Sequence, residues 1–372
     1  MAKTGEGGVI RYAAVGLGWI TQAALLPGFA NAKKNSKLTA LVSDDPAKLK
    51  ELGKYYKVDR LHSYEEYDRC LADGQVDAVY IGLPNTLHRD YTERAARAGV
   101  HVLCEKPMAT TEADCESMIG AADRGGIKLM IAYRLHFEAA NLAAIEVAES
   151  GQLGAVRYFV SAFSEVVEAG NIRLNPELGG GPLWDIGVYC INAARYLFRA
   201  EPVEVVGVAT KGTDPRFAGV EESASAILKF PGDRLASFTC SFGGADVASY
   251  RVVGTEGDLL MDPAYGFEGE LKSKLTIGGK SKEHTFKVRD QFGAQLLYFS
   301  DCILRDQEPE PSGAEGLADV RIIRALQRSA DSGRPEPLAP FERKARPTIA
   351  QKYELPAVSP PKMVHAEGPS GD

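Results

Sequence analysis

The sequence has no stretch of roughly 20 apolar residues, the length that crosses a bilayer, so no membrane partner is predicted. It also has no excess of positive charge, and its net charge of -7 argues against nucleic acid and anionic membrane surfaces as partners. Cysteine is scarce, with six residues in 372 that show neither metal-ligand spacing nor a disulfide framework. We therefore predict no metal site, and buried thiols at Cys104, Cys190 and Cys240, which lie in apolar segments.

The first residues do not resemble an export signal. Residues 1–8 are polar, and the apolar residues that follow are too few for the core of a signal peptide. A reducing cytoplasm is the expected location, with the periplasm as the alternative if a leader was removed. Hydrophobic residues make up 45% and charged residues 25% of the chain, as in soluble globular proteins, and the length favours two domains.

Strand and helix patterns alternate along the first part of the chain. Short apolar segments predict strands at 10–15, 37–42, 77–83, 101–104 and 127–132, and helical stretches follow them. One of these helices is predicted to begin at Thr111-x-x-Asp114 and to end at Gly125-Gly126. Such alternation is typical of a parallel sheet with helices on both faces. Residues 1–135 are therefore predicted to form a dinucleotide-binding Rossmann domain.

A glycine-rich turn lies directly between the first strand and a helical stretch. Gly16 and Gly18 suit a tight turn in which the backbone approaches a pyrophosphate at a helix N-terminus. The third glycine of the usual pattern is missing, and Thr21 stands in its place. The flanking strand and helix favour a cofactor site over an ordinary β–α turn, which is the alternative. The predicted cofactor contacts in this turn are Gly16, Leu17, Gly18, Trp19 and Ile20.

The end of the second strand bears on the choice between NAD and NADP. An NAD site places an acidic residue there to hold the ribose 2′-hydroxyl. We assign that position to Ser43, which leaves room for a 2′-phosphate, and Lys48 on the next helix is expected to reach it. The alternative takes Asp44 as the acid and Lys48 as a solvated helix charge. NADP is therefore predicted as the cofactor in preference to NAD.

A short charged segment follows the strand at 101–104, at the edge of the sheet where open α/β folds bind ligands. Pro107 fixes its own φ and favours an extended Lys106, so Glu105 and Lys106 are predicted to lie on a stiff turn. The alternative is a surface salt bridge on a loop. His88, on the preceding helix, is interpreted as a helix-face residue rather than a base.

After about residue 151 the pattern changes to consecutive strands. Segments at 156–164, 202–210, 223–230, 234–242, 250–254 and 258–261 are rich in β-branched and aromatic residues and predict an antiparallel sheet. Helices are predicted at 183–198, 291–305 and 314–329. The predicted fold is α/β, with a parallel Rossmann sheet followed, over 136–354, by an α+β domain with an open, mainly antiparallel sheet. Residues 355–372 are predicted to be a disordered tail or an arm.

The helix at 183–198 carries a second polar cluster. It follows Gly179-Gly180-Gly181, which permit close approach of another part of the backbone. Asp185 and Tyr189 are four residues apart, so their side chains share one helix face and can point into a cleft. The alternative is an acidic residue placed favourably near a helix N-terminus, with Tyr189 in the core.

Six motifs form a specific combination along the chain. They are Tyr12-Ala-Ala-Val-Gly-Leu-Gly18, Ala40-Leu-Val-Ser43, Asp77-Ala-Val-Tyr80, Leu83-Pro-Asn85, Cys104-Glu-Lys-Pro-Met-Ala-Thr110 and Gly179-Gly-Gly-Pro-Leu-Trp-Asp-Ile-Gly-Val-Tyr189. Together they resemble the glucose–fructose oxidoreductase, inositol dehydrogenase and rhizopine-catabolism (Gfo/Idh/MocA) family, and the likeness extends to about residue 335. Within the family the chain looks most like the glucose–fructose oxidoreductase type, which has tyrosine where many members have histidine.

The resemblance implies roles for individual residues. It implies that Lys106 orients the nicotinamide and the substrate, that Tyr189 donates or accepts the proton, and that Asp185 positions the sugar. Arg134 and Arg173 match positions near the cofactor and the sugar cleft. The other candidates are Leu83, Pro84, Asn85, His88 and Glu105 for the cofactor and Trp184 for the substrate.

The predicted activity is NADP-dependent oxidation of an aldose at C1 to its lactone. The cofactor carries the hydride, so the protein must move one proton, and the charge of Lys106 is expected to make Tyr189 a useful base. The cofactor is either held and recycled by reducing a second sugar, or exchanged. The alternative is a non-catalytic NADP-sensing or sugar-binding protein. A homodimer or homotetramer is expected through the open sheet face, with apolar residues at 156–160 and 235–242.

Overall fold

The structure is a computed structural model that describes residues 6–343 and 345–371. Residues 1–5 of the predicted polar N-terminus and Asp372 of the predicted tail lie outside the described residues. The first sheet is parallel and has the strand order β3-β2-β1-β4-β5-β6. The order changes direction between β1 and β4, and ligands of open α/β sheets bind in the crevice at that point.

The elements of this first domain follow the predicted alternation. The strands are β1 (Ile10–Val15), β2 (Ser36–Val42), β3 (Arg60–His62), β4 (Ala78–Ile81), β5 (His101–Cys104) and β6 (Leu129–Ile131). The helices are α1 (Leu26–Gly28, continuing a π-helical turn at Thr21–Leu25), α2 (Pro46–Tyr56), α3 (Tyr67–Ala72), α4 (His88–Arg97) and α5 (Glu112–Gly125). The short edge strand β3 was not predicted, because its residues are only partly buried and show no apolar run.

The second sheet contains nine strands among the described residues, in the order β14-β13-β12-β11-β7-β10-β9-β8-β15. The strands are β7 (Val156–Ser164), β8 (Glu204–Thr210), β9 (Ser223–Phe230), β10 (Arg234–Ser241), β11 (Val247–Gly254), β12 (Gly257–Met261), β13 (Leu271–Ile277), β14 (Lys280–Phe286) and β15 (Glu336–Pro337). Only β7 and β10 pair in parallel among these strands, so the predicted mainly antiparallel sheet is confirmed.

The hairpin of β13 and β14 was missed by the sequence interpretation. Strand β14 is largely exposed and lacks the apolar alternation that identifies a strand, and β13 has only three apolar residues, Leu271, Leu275 and Ile277. The loop between them is Gly278-Gly279, and both residues have positive φ. Two glycines in a two-residue loop are a hairpin signal that was available in the sequence.

Helices of the second half complete both cores. They are α6 (Ala139–Glu149), α7 (Val188–Phe198, continuing a π-helical turn at Leu183–Gly187), α8 (Gln291–Leu304) and α9 (Gly313–Ser332). Helix α8 packs on one face of the first sheet, where the Tyr12 hydroxyl lies 2.8 Å from the Ser300 hydroxyl. Helices α7 and α9 cover the inner face of the second sheet. No helix within the described ranges is long and apolar enough to cross a membrane.

A buried ion network joins α7 to α9. The Arg195 guanidinium is fully buried and lies 2.6 Å from the carboxylates of Glu315, Asp319 and Glu201. A buried charge is costly without a partner, so this network ties the two helices together. The orientation of α7, which carries Tyr189, is therefore held by contacts that do not involve Tyr189.

Candidate active site

Glu105 and Lys106, the two charged residues after β5, point in different directions. Glu105 is buried and turns inward, where its carboxylate accepts a 2.8 Å hydrogen bond from the Tyr80 hydroxyl. Burial raises the pKa of the Glu105 carboxyl, although the charge of Lys106 opposes this. Lys106 turns the other way, towards the second domain, with a side chain that is 12% exposed. The two residues therefore do not form the surface salt bridge that was the alternative prediction.

Asp185 forms an ion pair with Lys106. It lies near the start of the helical segment that follows the three glycines. The Lys106 ammonium donates to Asp185 Oδ1 at 2.8 Å and to its backbone carbonyl at 2.9 Å. Arg173 Nε donates to Asp185 Oδ2 at 2.6 Å, so both carboxylate oxygens are engaged by cations. Burial opposes ionisation of Asp185, but Lys106 and Arg173 hold its pKa well below the usual range. Burial would lower the pKa of Lys106, yet Asp185 raises it above the usual value.

Tyr189 lies between two cations on the same face as Asp185. The Lys106 ammonium is 4.8 Å and the Arg134 guanidinium 5.0 Å from the centroid of the Tyr189 ring. Arg134 is buried, and it donates to Gln291 at 2.6 Å and to the Tyr265 carbonyl. Within residues 6–343 and 345–371 the Tyr189 hydroxyl has no hydrogen-bond partner, so its proton is available to a ligand.

The glycines before this segment allow the two domains to meet. The Asn85 amide donates to the Gly179 carbonyl at 2.8 Å, and a Cβ at Gly179 would lie 2.7 Å from Thr110. A Cβ at Gly180 would lie 2.3 Å from the Arg173 carbonyl. A side chain at Gly179 would push the loop after β4 away from the Asp185 turn, whereas one at Gly180 would collide with the second domain's own backbone at Arg173. The close approach predicted from the glycines is thus a contact between the cofactor domain and the second domain.

The turn after β1 fits a dinucleotide. Gly16 has φ +86°, and a Cβ there would lie 2.4 Å from the Gly82 carbonyl, so only glycine is accommodated. A Cβ at Gly18 would meet nothing within 4 Å, so this backbone faces open space that a pyrophosphate would fill. Thr21 donates to the Gly16 carbonyl at 2.7 Å and so braces the turn where the third glycine is missing. Trp19 lines the same region, with the Arg173 guanidinium 5.8 Å from its ring.

The end of β2 presents a hydroxyl rather than a free carboxylate. Ser43 is buried, and its hydroxyl accepts a 3.2 Å hydrogen bond from the Asp45 amide. Asp44 accepts from the Tyr64 amide at 2.7 Å. Asp45 caps α2 by accepting from the amides of Ala47 and Lys48. Both acids are therefore occupied by the protein's own donors.

Two predicted site residues lie away from the cleft. His88 is fully buried, with ring nitrogens 2.9 Å from the Leu83 carbonyl and 3.0 Å from the Pro107 carbonyl. Burial lowers its pKa, and a neutral ring can donate to only one of these oxygens. His88 thus lies between the loops that carry Leu83 and Lys106, bonded to one of them, rather than facing the groove. Trp184 is also buried, and the Arg324 guanidinium of α9 lies 5.2 Å from its ring. Consecutive helical residues point about 100° apart, so Trp184 faces the core while Asp185 faces the cleft.

Glu165 is a residue that the sequence interpretation missed. Along β7, Ser161 contacts Cys190 at 3.3 Å and the Phe163 ring lies 5.6 Å from the Tyr189 ring. Glu165 directly follows the last residue of β7 and is close enough to Asp185 to be affected by its charge. Burial, and then the charge of Asp185, raise the pKa of Glu165 to about 7. Its position after a predicted strand was visible in the sequence, but the helix that packs against this strand was not.

The structure thus brings together Lys106, Arg173, Asp185, Tyr189 and Glu165 at the open end of the first sheet. Over the described part of the chain, no three His, Cys, Asp or Glu side chains are grouped so as to hold a metal ion. A buried cation beside an unbonded phenol hydroxyl and a dinucleotide turn suits chemistry that moves a hydride and a proton.

The known proteins to which the chain is similar are oxidoreductases. The chain is 33% identical to D-xylose 1-dehydrogenase (NADP(+)) of Haloarcula marismortui over 338 residues, which are 89% of this chain and 93% of that protein. The crystal structure of aldose-aldose oxidoreductase from Caulobacter crescentus with glycerol is 43% identical, with a TM-score of 0.85, and the match covers 89% of this chain and 100% of that one. A 3-ketoreductase from Actinomadura kijaniata with NADP and TDP-benzene is 25% identical, with a TM-score of 0.78, covering 86% and 98%.

The family assignment rests on both domains. Residues 10–133 match the oxidoreductase family with an NAD-binding Rossmann fold, and residues 141–260 match the Gfo/Idh/MocA C-terminal domain. These matches span more than half of the chain and coincide with the parallel sheet and most of the second sheet. The chain belongs to the Gfo/Idh/MocA family of oxidoreductases.

Proposed function

We propose that the protein is an NADP-dependent sugar oxidoreductase that oxidises an aldose at C1 to its lactone. Residues 1–135 would hold the cofactor, and residues 136–354 would supply the sugar site. The observation that carries the proposal is the contact of Lys106 with both Asp185 and Tyr189, on the edge of the sheet that bears the Gly16–Gly18 turn. The xylose dehydrogenase and aldose-aldose oxidoreductase relatives indicate the substrate class.

The residues of this site have different roles in the proposed reaction. NADP, when bound, accepts the hydride from the sugar C1. Tyr189, as the phenolate, takes the proton from the C1 hydroxyl and becomes a neutral phenol, because its oxygen is free to approach the sugar. The Lys106 ammonium, 4.8 Å from the ring, stabilises the negative charge on the Tyr189 oxygen before the transfer. Asp185 holds Lys106 and Arg173 in place and keeps both cations charged.

The end of β2 supports NADP in preference to NAD. Ser43 carries no charge that would repel a 2′-phosphate, and Lys48 on α2 provides a positive charge nearby. Asp44 and Asp45 are held by backbone amides, so neither is free to accept a ribose hydroxyl without losing a bond. Gly16, Leu17, Gly18, Trp19, Ile20, Leu83, Pro84 and Asn85 remain the proposed contacts with the rest of the cofactor.

Glu165 is proposed as a sugar contact. No partner among the described residues bonds its carboxylate, which faces the same cleft as Asp185. Above pH 7 the carboxylate is ionised and forms stronger hydrogen bonds with sugar hydroxyls than the neutral acid does. Glu165 would then add affinity without taking part in the proton transfer.

The second sheet is proposed as the contact between copies of the chain. Its outer face exposes the apolar side chains of Tyr158, Val160, Ile227 and Leu235, and Tyr158 lies opposite Leu235 in the parallel pair. Phe238 was also expected on this face, but strand alternation turns it into the core, where it is 3% exposed. Closed dimers are the commonest assemblies of such surfaces.

Replacing Tyr189 with Phe is expected to lower kcat at least ~100-fold, because only the transferable proton is lost. NADP affinity should remain within about twofold, since the ring and its cation contacts persist. NADPH formation from D-xylose and D-glucose, followed at 340 nm, checks this. Tyr55→Phe, on the surface of α2, is the matched control. Full activity of Tyr189→Phe would exclude Tyr189 as the proton acceptor.

Glu165→Gln is expected to abolish the fall in KM for the sugar that accompanies rising pH. In the unaltered protein the carboxyl ionises as pH rises through about 7, so KM for the sugar should fall between pH 6 and 8. The variant should show a flat KM over this range with little change in kcat. Glu177→Gln, at an exposed glutamate, controls for the change in net charge. A variant that retains the same fall in KM would show that another group titrates.

Ser43→Asp is expected to weaken NADP binding on the order of tenfold or more and to strengthen NAD binding. An acid there repels a 2′-phosphate and can accept the 2′-hydroxyl instead. Titration of both cofactors measures the ratio of affinities, and Ser43→Ala should keep the original preference. An unchanged ratio in Ser43→Asp would place the ribose elsewhere and make Asp44 the better candidate.

A charged side chain introduced on the outer face of the second sheet is expected to dissociate the proposed oligomer. The protein should have the mass of a dimer or tetramer by light scattering at micromolar concentration, and Tyr158→Asp should shift it to the monomer. Tyr158 and Tyr55 are 47% and 59% exposed, so Tyr55→Asp on α2 tests the same change outside the sheet. A monomeric mass for the unaltered chain would contradict the proposed interface.

A further inference from the structure

The last residues of the chain cross from the first domain to the second. The chain first passes the N-terminus of α8, where the backbone amide of Asp290 donates to the Leu355 carbonyl. Asn31 then donates to the Pro356 carbonyl at 2.8 Å. From there the chain runs without helix or strand over the edge of the first sheet that carries the dinucleotide turn. We call residues 357–371 the C-terminal segment.

Two consecutive residues of this segment pack on the dinucleotide turn. The Gln22 amide nitrogen donates to the Val364 carbonyl at 2.9 Å, and its oxygen accepts from the Val364 amide at 2.9 Å. The same Gln22 nitrogen donates to the Leu17 carbonyl at 2.8 Å, so one side chain links the segment to the glycine-rich turn. Val364 packs against the apolar cluster that contains Leu17, and Met363 packs against the cluster bordered by Trp19.

The next residue reaches the end of β2. His365 Nδ1 lies 2.8 Å from Asp45 Oδ2, and this hydrogen bond is the main cause that lowers the pKa of Asp45. Asp45 follows Ser43, the residue proposed to face the ribose phosphate. The contact therefore places the segment beside the adenosine end of the cofactor site. It also engages one of the two acidic side chains that lie near the proposed 2′-phosphate.

Three residues later the segment is attached to the second domain. The Asn171 amide donates to the Gly368 carbonyl at 3.2 Å, and the backbone amide of Glu168 donates to the Pro369 carbonyl at 2.9 Å. The three steps from His365 to Gly368 can span at most roughly 11 Å. Asn171 also accepts from Arg173, whose guanidinium lies over Trp19. The segment thus bridges the gap between the two domains directly above the dinucleotide turn.

We propose that the C-terminal segment is a strap over the adenosine diphosphate part of bound NADP and that it slows release of the cofactor. The inference deepens the proposed function and rests on it, because it requires NADP in the groove between Leu17, Asp45 and Asn171. A dinucleotide whose pyrophosphate lies at the glycine-rich turn and whose ribose lies at the end of β2 passes under this bridge. The strap therefore favours a cofactor that stays bound between successive sugars.

The contacts also indicate how the strap opens. It is held by a few backbone hydrogen bonds and by side chains that are only partly buried, so it belongs to the least stable part of the fold. Opening breaks the bonds to Gln22 and Asn171 while leaving both sheets intact. Because cofactor must pass the same strap in both directions, its removal should speed entry as well as release.

Cofactor release from the purified full-length protein tests the strap. NADPH is bound, a large excess of NADP is added, and the loss of bound NADPH fluorescence gives the release rate. A variant ending at Pro356 is expected to release NADPH about tenfold faster or more, because it loses the hydrogen bonds to Gln22, Asp45 and Asn171 together. Val364→Pro, which removes only the amide that donates to Gln22, is expected to show a smaller increase in the same direction.

Two controls separate the strap from general loss of structure. Lys362→Ala changes an exposed side chain of the same segment and should release NADPH at the original rate. Unfolding temperatures of all variants show whether the fold persists. A truncated variant that binds NADPH and releases it within threefold of the original rate would overturn the strap while leaving the proposed function intact. A full-length protein that does not bind NADPH would overturn both.

Discussion

The ion cluster of Lys106, Asp185 and Arg173 is the interaction on which the site depends. Lys106 comes from the end of a strand in the first sheet, and Asp185 comes from the start of a helical segment in the second domain. The Lys106 ammonium is largely buried, so it requires a negative partner, and Asp185 supplies this with bonds of 2.8 and 2.6 Å to its two cations. The cluster therefore fixes the position of one domain relative to the other at the point where a cofactor and a sugar would meet.

Buried polar contacts elsewhere in the two domains hold the residues around this cluster in place. Arg195 is paired with three carboxylates and fixes α7 against α9, so the helix that carries Tyr189 has little freedom to move. Arg134 lies on the ring of Tyr189 and is itself bonded to Gln291 and Tyr265. His88 fills the space between the two loops of the first sheet that face the cleft and donates to one of them. Lys106, Asp185 and Tyr189 are thus held by buried polar contacts, which is how a preorganised site would be maintained.

The sequence predicted local features well and distant contacts poorly. Strand β5, the glycine-rich turn and the start of the segment at Leu183 follow from local signals such as apolar runs, glycine and proline. The contact of Lys106 with Asp185 joins residues 79 apart in the chain, so no spacing rule indicates it without the family resemblance. Trp184 was a substrate candidate from the family resemblance, and the structure places its side chain against Arg324 of α9. Glu165 was missed because its role depends on which helix packs against β7, and that is decided by the tertiary fold.

The most direct test of the account is the fate of the hydrogen at the sugar C1. The protein is incubated with NADP and D-xylose or D-glucose that carries deuterium at C1, and the recovered cofactor is analysed by mass spectrometry. Direct hydride transfer at the Lys106–Tyr189 site predicts one deuterium in the recovered NADPH, with slower turnover than for the unlabelled sugar. Recovery of NADPH without deuterium, or oxidation at another carbon, would contradict the account.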